Sequence, residues 1–164
     1  MTRSHDDLLQ PTLAPDFDVR RFQRPWTPTS IVWVAFLGGP LAAGLVFGLN
    51  YRRLARPSAA RIAWIATPPF ALLVAFGIAL AYRAGWLDVN DATHARIARL
   101  FVQFLSIGAG WLVARDQEQA FRAYSRADLP VASLWLPGLG AVLLGSFAYS
   151  ALLRFALGAL GVGP

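Results

Sequence analysis

Lysine and cysteine are both absent from this 164-residue chain, methionine occurs once, and charged residues make up only 15%. Without cysteine there can be no disulfide, thiolate metal site or thiol nucleophile. The shortage of charge sets the class: soluble domains carry about 25% charged residues, whereas 56% of this chain is hydrophobic. A soluble helical bundle needs a polar face recurring along each helix, and Leu72–Leu80 contains no polar residue at all. Met1–Thr29 has no apolar h-region, so no cleavable signal peptide is expected and the first apolar segment serves as an uncleaved anchor.

Groups that carry chemistry are equally sparse. His5 and His94 are the only histidines, and neither belongs to a nucleophile–base–acid constellation of the kind acyl transfer requires. Asp88, Asp91 and His94 lie close in sequence, but their setting reads as a helix-cap region rather than a metal site. No ionisable residue falls inside an apolar segment, where proton and ion pathways place theirs. A non-enzymatic protein without cofactor or metal is expected.

What the chain does have is long uncharged runs. Ile31–Leu49 and Ile62–Tyr82 are uncharged throughout, and at about 1.5 Å per residue the first spans roughly 28 Å, close to a bilayer core of about 30 Å. Leu100–Ala114 is shorter, but flanking Arg99 and Arg115 can snorkel, and Asn90 or Asp91 can cap a helix beginning at Ala92. Leu129–Leu153 closes the series, with Pro137 suited to a first helical turn. The expected architecture is all-α: a polytopic membrane protein with about four transmembrane helices in a bundle, near residues 31–50, 62–82, 92–114 and 134–157. A polar tail over 1–29, with four prolines and four aspartates, precedes this single domain over 30–164. Arg115–Asp128 reads as a helical extension of the third helix. No tryptophan falls at the centre of an apolar segment, as an interfacial aromatic belt predicts.

All 15 basic residues are arginine and the net charge is +6. They punctuate segment ends instead of forming a basic stripe with interleaved aromatics, which excludes nucleic acid as a partner. Arg52, Arg53, Arg56 and Arg61 stand in an acid-free loop over 50–61, which places that loop in the cytoplasm and makes it a candidate contact for anionic lipid or a protein partner. With four crossings, however, the arginines divide almost evenly between the two sides. A re-entrant first segment, broken at Gly38-Gly39-Pro40, would put eleven arginines on one side against four on the other. Its legs would reach only about halfway across and would need other protein to cover them, so the straight crossing is preferred.

Five residues are candidate helix breaks: Gly38, Gly39, Pro40, Pro68 and Pro69. Proline removes an intrahelical donor and frees a carbonyl, and transporters bind ions and substrates at such breaks. Gly44 with Gly48, and Ala141 with Gly145, have the small-xxx-small spacing of close helix packing, within one chain or between copies. Thr67, Gln103, Ser106, Ser146 and Ser150 are the polar residues at membrane depth. Among them Gln103 is the candidate intramembrane polar contact, because an amide in hydrocarbon needs a partner.

The run Phe36-Leu37-Gly38-Gly39-Pro40-Leu41-Ala42-Ala43-Gly44, followed by Asn50-Tyr51-Arg52-Arg53-Leu54, resembles a pattern in small uncharacterised bacterial inner-membrane proteins. The resemblance covers the first helix and loop and implies a bacterial inner membrane, without any activity. The expected function is that of an accessory or interaction protein, with membrane lipids, another membrane protein or a second copy as partner. The alternative is a small oligomeric transporter or channel built on the helix breaks.

Overall fold

The computed structural model describes residues 23–126 and 130–162; the tail expected over 1–29 lies outside them up to Phe22, and its remainder is packed rather than loose, with Pro25 and Trp26 buried and α1 already begun at Pro28. Four helices follow one another: α1 (Pro28–Arg53), α2 (Pro57–Arg83), α3 (Ala92–Ser125) and α4 (Trp135–Ala159). All four are long and apolar enough to cross a membrane by length and composition. The protein is an all-α, multi-pass membrane protein, and its helix ends follow local chemistry. Proline opens α1 and α2, where its missing N–H is harmless. Asp91 caps α3 by accepting from the Thr93 N–H at 2.7 Å, and α3 continues through the polar stretch to Ser125 as expected.

The path of α1 differs from the expected straight crossing. Gly39 has φ 72° and ψ −167°, outside the helical region, and Pro40 follows it without an N–H to continue the ladder. The Trp26 N–H just before the helix donates to Asn50 Oδ1 near its other end at 2.8 Å. A straight helix would hold these residues roughly 36 Å apart. Segment 28–53 is therefore a re-entrant hairpin of two helical legs, roughly 16 and 21 Å long at helical rise, with its tip at Gly39. Charge balance points to this path, whereas segment length argues against it.

Irregular backbone at membrane depth is tolerated only inside protein, and that condition is met. In the most apolar stretch of α1 67% of residues are buried, against 28% or fewer in each other helix. The hairpin is the hub: α2, α3 and α4 all pack on it, and α2 also packs on α4. Close approach needs small residues at the crossings. A Cβ on Gly145 would meet the Ala42 backbone N at 2.6 Å, and one on Gly38 would meet Val142 Cα at 2.8 Å. Gly44 and Gly48 likewise receive Thr67 and Trp64 of α2. Both small-residue motifs thus pack within the chain.

Pro68 and Pro69 behave differently from the Gly38-Gly39-Pro40 break. They lie exposed inside α2, which carries no non-helical residue along its length. The expected break is absent there.

Candidate functional site

The ends of the hairpin, the start of α2, the end of α3 and the start of α4 share one face of the molecule, here called the base. The hairpin tip stops partway along the other helices, at Val142 and Gly145 of α4. Beyond it, α2, α3 and α4 surround a space the hairpin does not fill. A cavity of about 340 Å³ occupies that distal half, bounded below by Leu37, Gly38 and Gly39. This is within the range of small-molecule sites.

Helical spacing assembles its polar lining. Arg99 and Gln103 are four apart on α3, and Ser146, Tyr149 and Ser150 are three and four apart on α4, so each set shares one helix face. Tyr82, at the end of α2, completes it. The Tyr149 hydroxyl is buried with no hydrogen-bond partner. Among the described residues the Gln103 amide, the Ser146 and Tyr82 hydroxyls and the Arg99 guanidinium also make no hydrogen bond or ion pair. The Ser150 hydroxyl donates to the Ser146 carbonyl at 2.8 Å. Burying the Tyr149 hydroxyl without a partner costs about 1–3 kcal/mol, and the part-exposed groups around it add hydrogen-bonding capacity that the described residues do not use. Among the described residues no carboxylate lines the cavity.

A second cavity, of about 190 Å³, lies on the base side of the tip, between the second leg of the hairpin, α2 and α3. Its two hydroxyls are already engaged: Thr67 donates to the Ala63 carbonyl at 2.6 Å and Ser106 to the Val102 carbonyl at 2.7 Å. Its remaining lining is Ala, Gly, Pro, Val and Phe. The five intramembrane polar residues thus divide between the two cavities, and only the distal one offers free donors.

A polar clasp closes the hairpin at the base. The fully buried Asn50 accepts from the Trp26 N–H and donates through Nδ2 to the Trp26 carbonyl at 3.2 Å and to Gln117 Oε1 at 2.7 Å. Gln117, equally buried, donates to the Phe47 carbonyl at 3.1 Å. Trp26 adds an indole N–H bond to the Ser133 carbonyl at 3.1 Å.

The arginine cluster is largely committed to this base. Arg53 donates to the Arg24 carbonyl at 2.8 Å and lies 3.9 Å from the Trp26 ring centroid. Arg56 pairs with Asp116 of α3 at 2.8 Å, and the Tyr51 hydroxyl donates to the same carboxylate at 2.7 Å. Arg52 lies over Trp64 at 5.8 Å. Arg61 is exposed without a partner among the described residues. The loop is acid-free in sequence but gains an acid from α3.

At the opposite face, His94 Nδ1 accepts from the Asp88 N–H at 2.9 Å and lies 3.7 Å from Asp91. The Thr93 N–H holds the Asp91 carboxyl below its usual range, with His94 adding to the effect. These are cap contacts of α3.

Comparison with family models, curated proteins and solved structures returned no match.

Proposed function

We propose that the chain is a non-enzymatic accessory protein of a bacterial inner membrane that holds a membrane amphiphile in the distal cavity. The single observation that carries this reading is a set of unpaired polar groups lining one cavity: Tyr149, Gln103 and Ser146 at membrane depth, with the exposed Arg99 at its edge. Polar groups at that depth are rare unless something satisfies them. The arginine distribution supports a cytoplasmic base, with loop 50–61 inside and the cavity facing the outer leaflet.

The test is lipid analysis of protein purified in mild detergent. A stoichiometric amphiphile should accompany the wild type and be lost from Ser146→Phe, whose ring fills the cavity floor. Equal lipid content in the two proteins would sink the reading.

A second reading, transport, is favoured by the placement of one cavity on each side of a Gly-Pro hairpin tip. The base-side cavity offers no free polar group, so a conducting path requires the hairpin to move. Proteoliposomes of the wild type should show no ion flux above empty vesicles; a saturable flux would favour transport.

A further inference from the structure

Every polar side chain around the distal cavity can donate, and Arg99 can only donate. Arg99 brings five N–H donors and a permanent positive charge, Gln103 two amide donors, and Ser146 and Tyr149 one hydroxyl each. Among the described residues no acid lines that space. A cationic ligand would face Arg99 without a counter-charge, and a hydrocarbon chain would leave every donor unsatisfied. An acceptor-rich, negatively charged group meets both demands, through charge-assisted bonds roughly twice as strong as neutral ones.

The hairpin tip does not change that sign. It joins the C-terminal end of one leg to the N-terminal end of the other, carrying about −0.5 and +0.5 of a unit charge. Side by side these largely cancel, so Arg99 decides the preference. The helix arrangement supplies an exit for a chain: α2 and α4 pack directly, whereas α3 is held mainly by the hairpin, which is missing at this level. Hydrophobic side chains close the α2–α3 side, where Val74 and Ile78 pack with Ala98 and Val102. From α4, Tyr149 and Leu153 pack on the same cluster, and neither α2 nor α4 packs its backbone closely on α3, so the loosely held flank of α3 is the exit.

We infer that the site takes an anionic oxyacid head, carboxylate or phosphate, between Arg99 and Gln103 on α3 and Ser146 and Tyr149 on α4, with the chain leaving beside the loosely packed α3. This rests on the reading of the cavity as an amphiphile site and adds the chemistry of the ligand. The head can belong to a lipid or to a soluble anion, and the two sources separate experimentally.

The experiment titrates full-length protein in uncharged detergent with oleate, phosphatidic acid, monoolein, oleylamine, acetate and inorganic phosphate. Binding is read by native mass spectrometry and thermal shift. Oleate and phosphatidic acid should bind, oleylamine should not, and Arg99→Gln should weaken the two anions about tenfold or more while leaving monoolein unchanged. Gln103→Leu should weaken the anions as well. Saturable binding of acetate or phosphate alone, sensitive to Arg99→Gln, would keep the anion site but overturn the chain exit. If monoolein and oleate bind equally and Arg99→Gln changes neither, the anionic head is wrong while the amphiphile cavity stands. If Ser146→Phe leaves all binding intact, the cavity is not the site and both readings fail.

Discussion

Gly39 and Gly38 are adjacent, yet they are needed for different reasons. A Cβ on Gly39 would meet nothing within 4 Å, but its φ of 72° belongs to a region that L side chains avoid. A Cβ on Gly38 would have a backbone neighbour, Val142 Cα, at 2.8 Å. Gly39→Ala should therefore destabilise through backbone strain alone, by about 1–3 kcal/mol. Gly38→Ala should act by pushing α4 away from the hairpin. Gly77 is exposed, helical and unobstructed, so Gly77→Ala should be neutral or stabilising by up to about 1 kcal/mol. Reversible unfolding in mixed detergent ranks the three; a Gly39→Ala protein as stable as Gly77→Ala would mean that the tip does not require this conformation.

At the level of elements, the hairpin is held shut by side chains far apart in sequence. Asn50 joins residue 26 to residue 117, satisfying two groups of Trp26 and one of Gln117. Asn50→Ala strands buried polar atoms on three sides and should cost roughly 2–4 kcal/mol. Gln117→Leu removes fewer bonds and should cost about 1–3 kcal/mol. Because the pair shares one bond, the double variant should be less destabilised than the sum of the singles. Strict additivity would show that the clasp is not a unit. The clasp also marks where sequence reading stops. The break itself is legible in Gly38-Gly39-Pro40, as is the Asp91 cap, but nothing local announces that Asn50 and Gln117 will meet. The distal site lies between these cases. Gln103 stands out as an amide in hydrocarbon, and Ser146 and Ser150 as hydroxyls. Arg99 one turn before Gln103, and Tyr149 within the Ser146–Ser150 turn, follow from helical spacing. That those faces converge above a hairpin tip depends on tertiary packing, and so does the pairing of Arg56 with Asp116.

For the whole molecule, the hairpin changes the parity of the membrane crossings. Four straight helices return the chain to the side on which it entered. A hairpin followed by three crossings leaves residue 26 and residue 160 on opposite sides. The hairpin path also makes the arginine distribution uneven: among the described residues, eight arginines group with the base and four with the distal face. Length argued for the straight path because an isolated 26-residue helix has no reason to turn back; here α2, α3 and α4 cover the legs and make the turn tolerable. Because the chain has no cysteine, single-cysteine labelling is free of background. Gln23, Ser58, Asn90, Ser125 and Ala159 are exposed positions at or beyond the helix ends. With an impermeant maleimide on intact cells, Asn90→Cys and Ala159→Cys should label, while Gln23→Cys, Ser58→Cys and Ser125→Cys should label only after the membrane is opened. Labelling of Gln23→Cys together with Asn90→Cys would restore the four-crossing path and remove the distal cavity with it. Inverted labelling of all five would keep the hairpin and move its cavity to the inner leaflet.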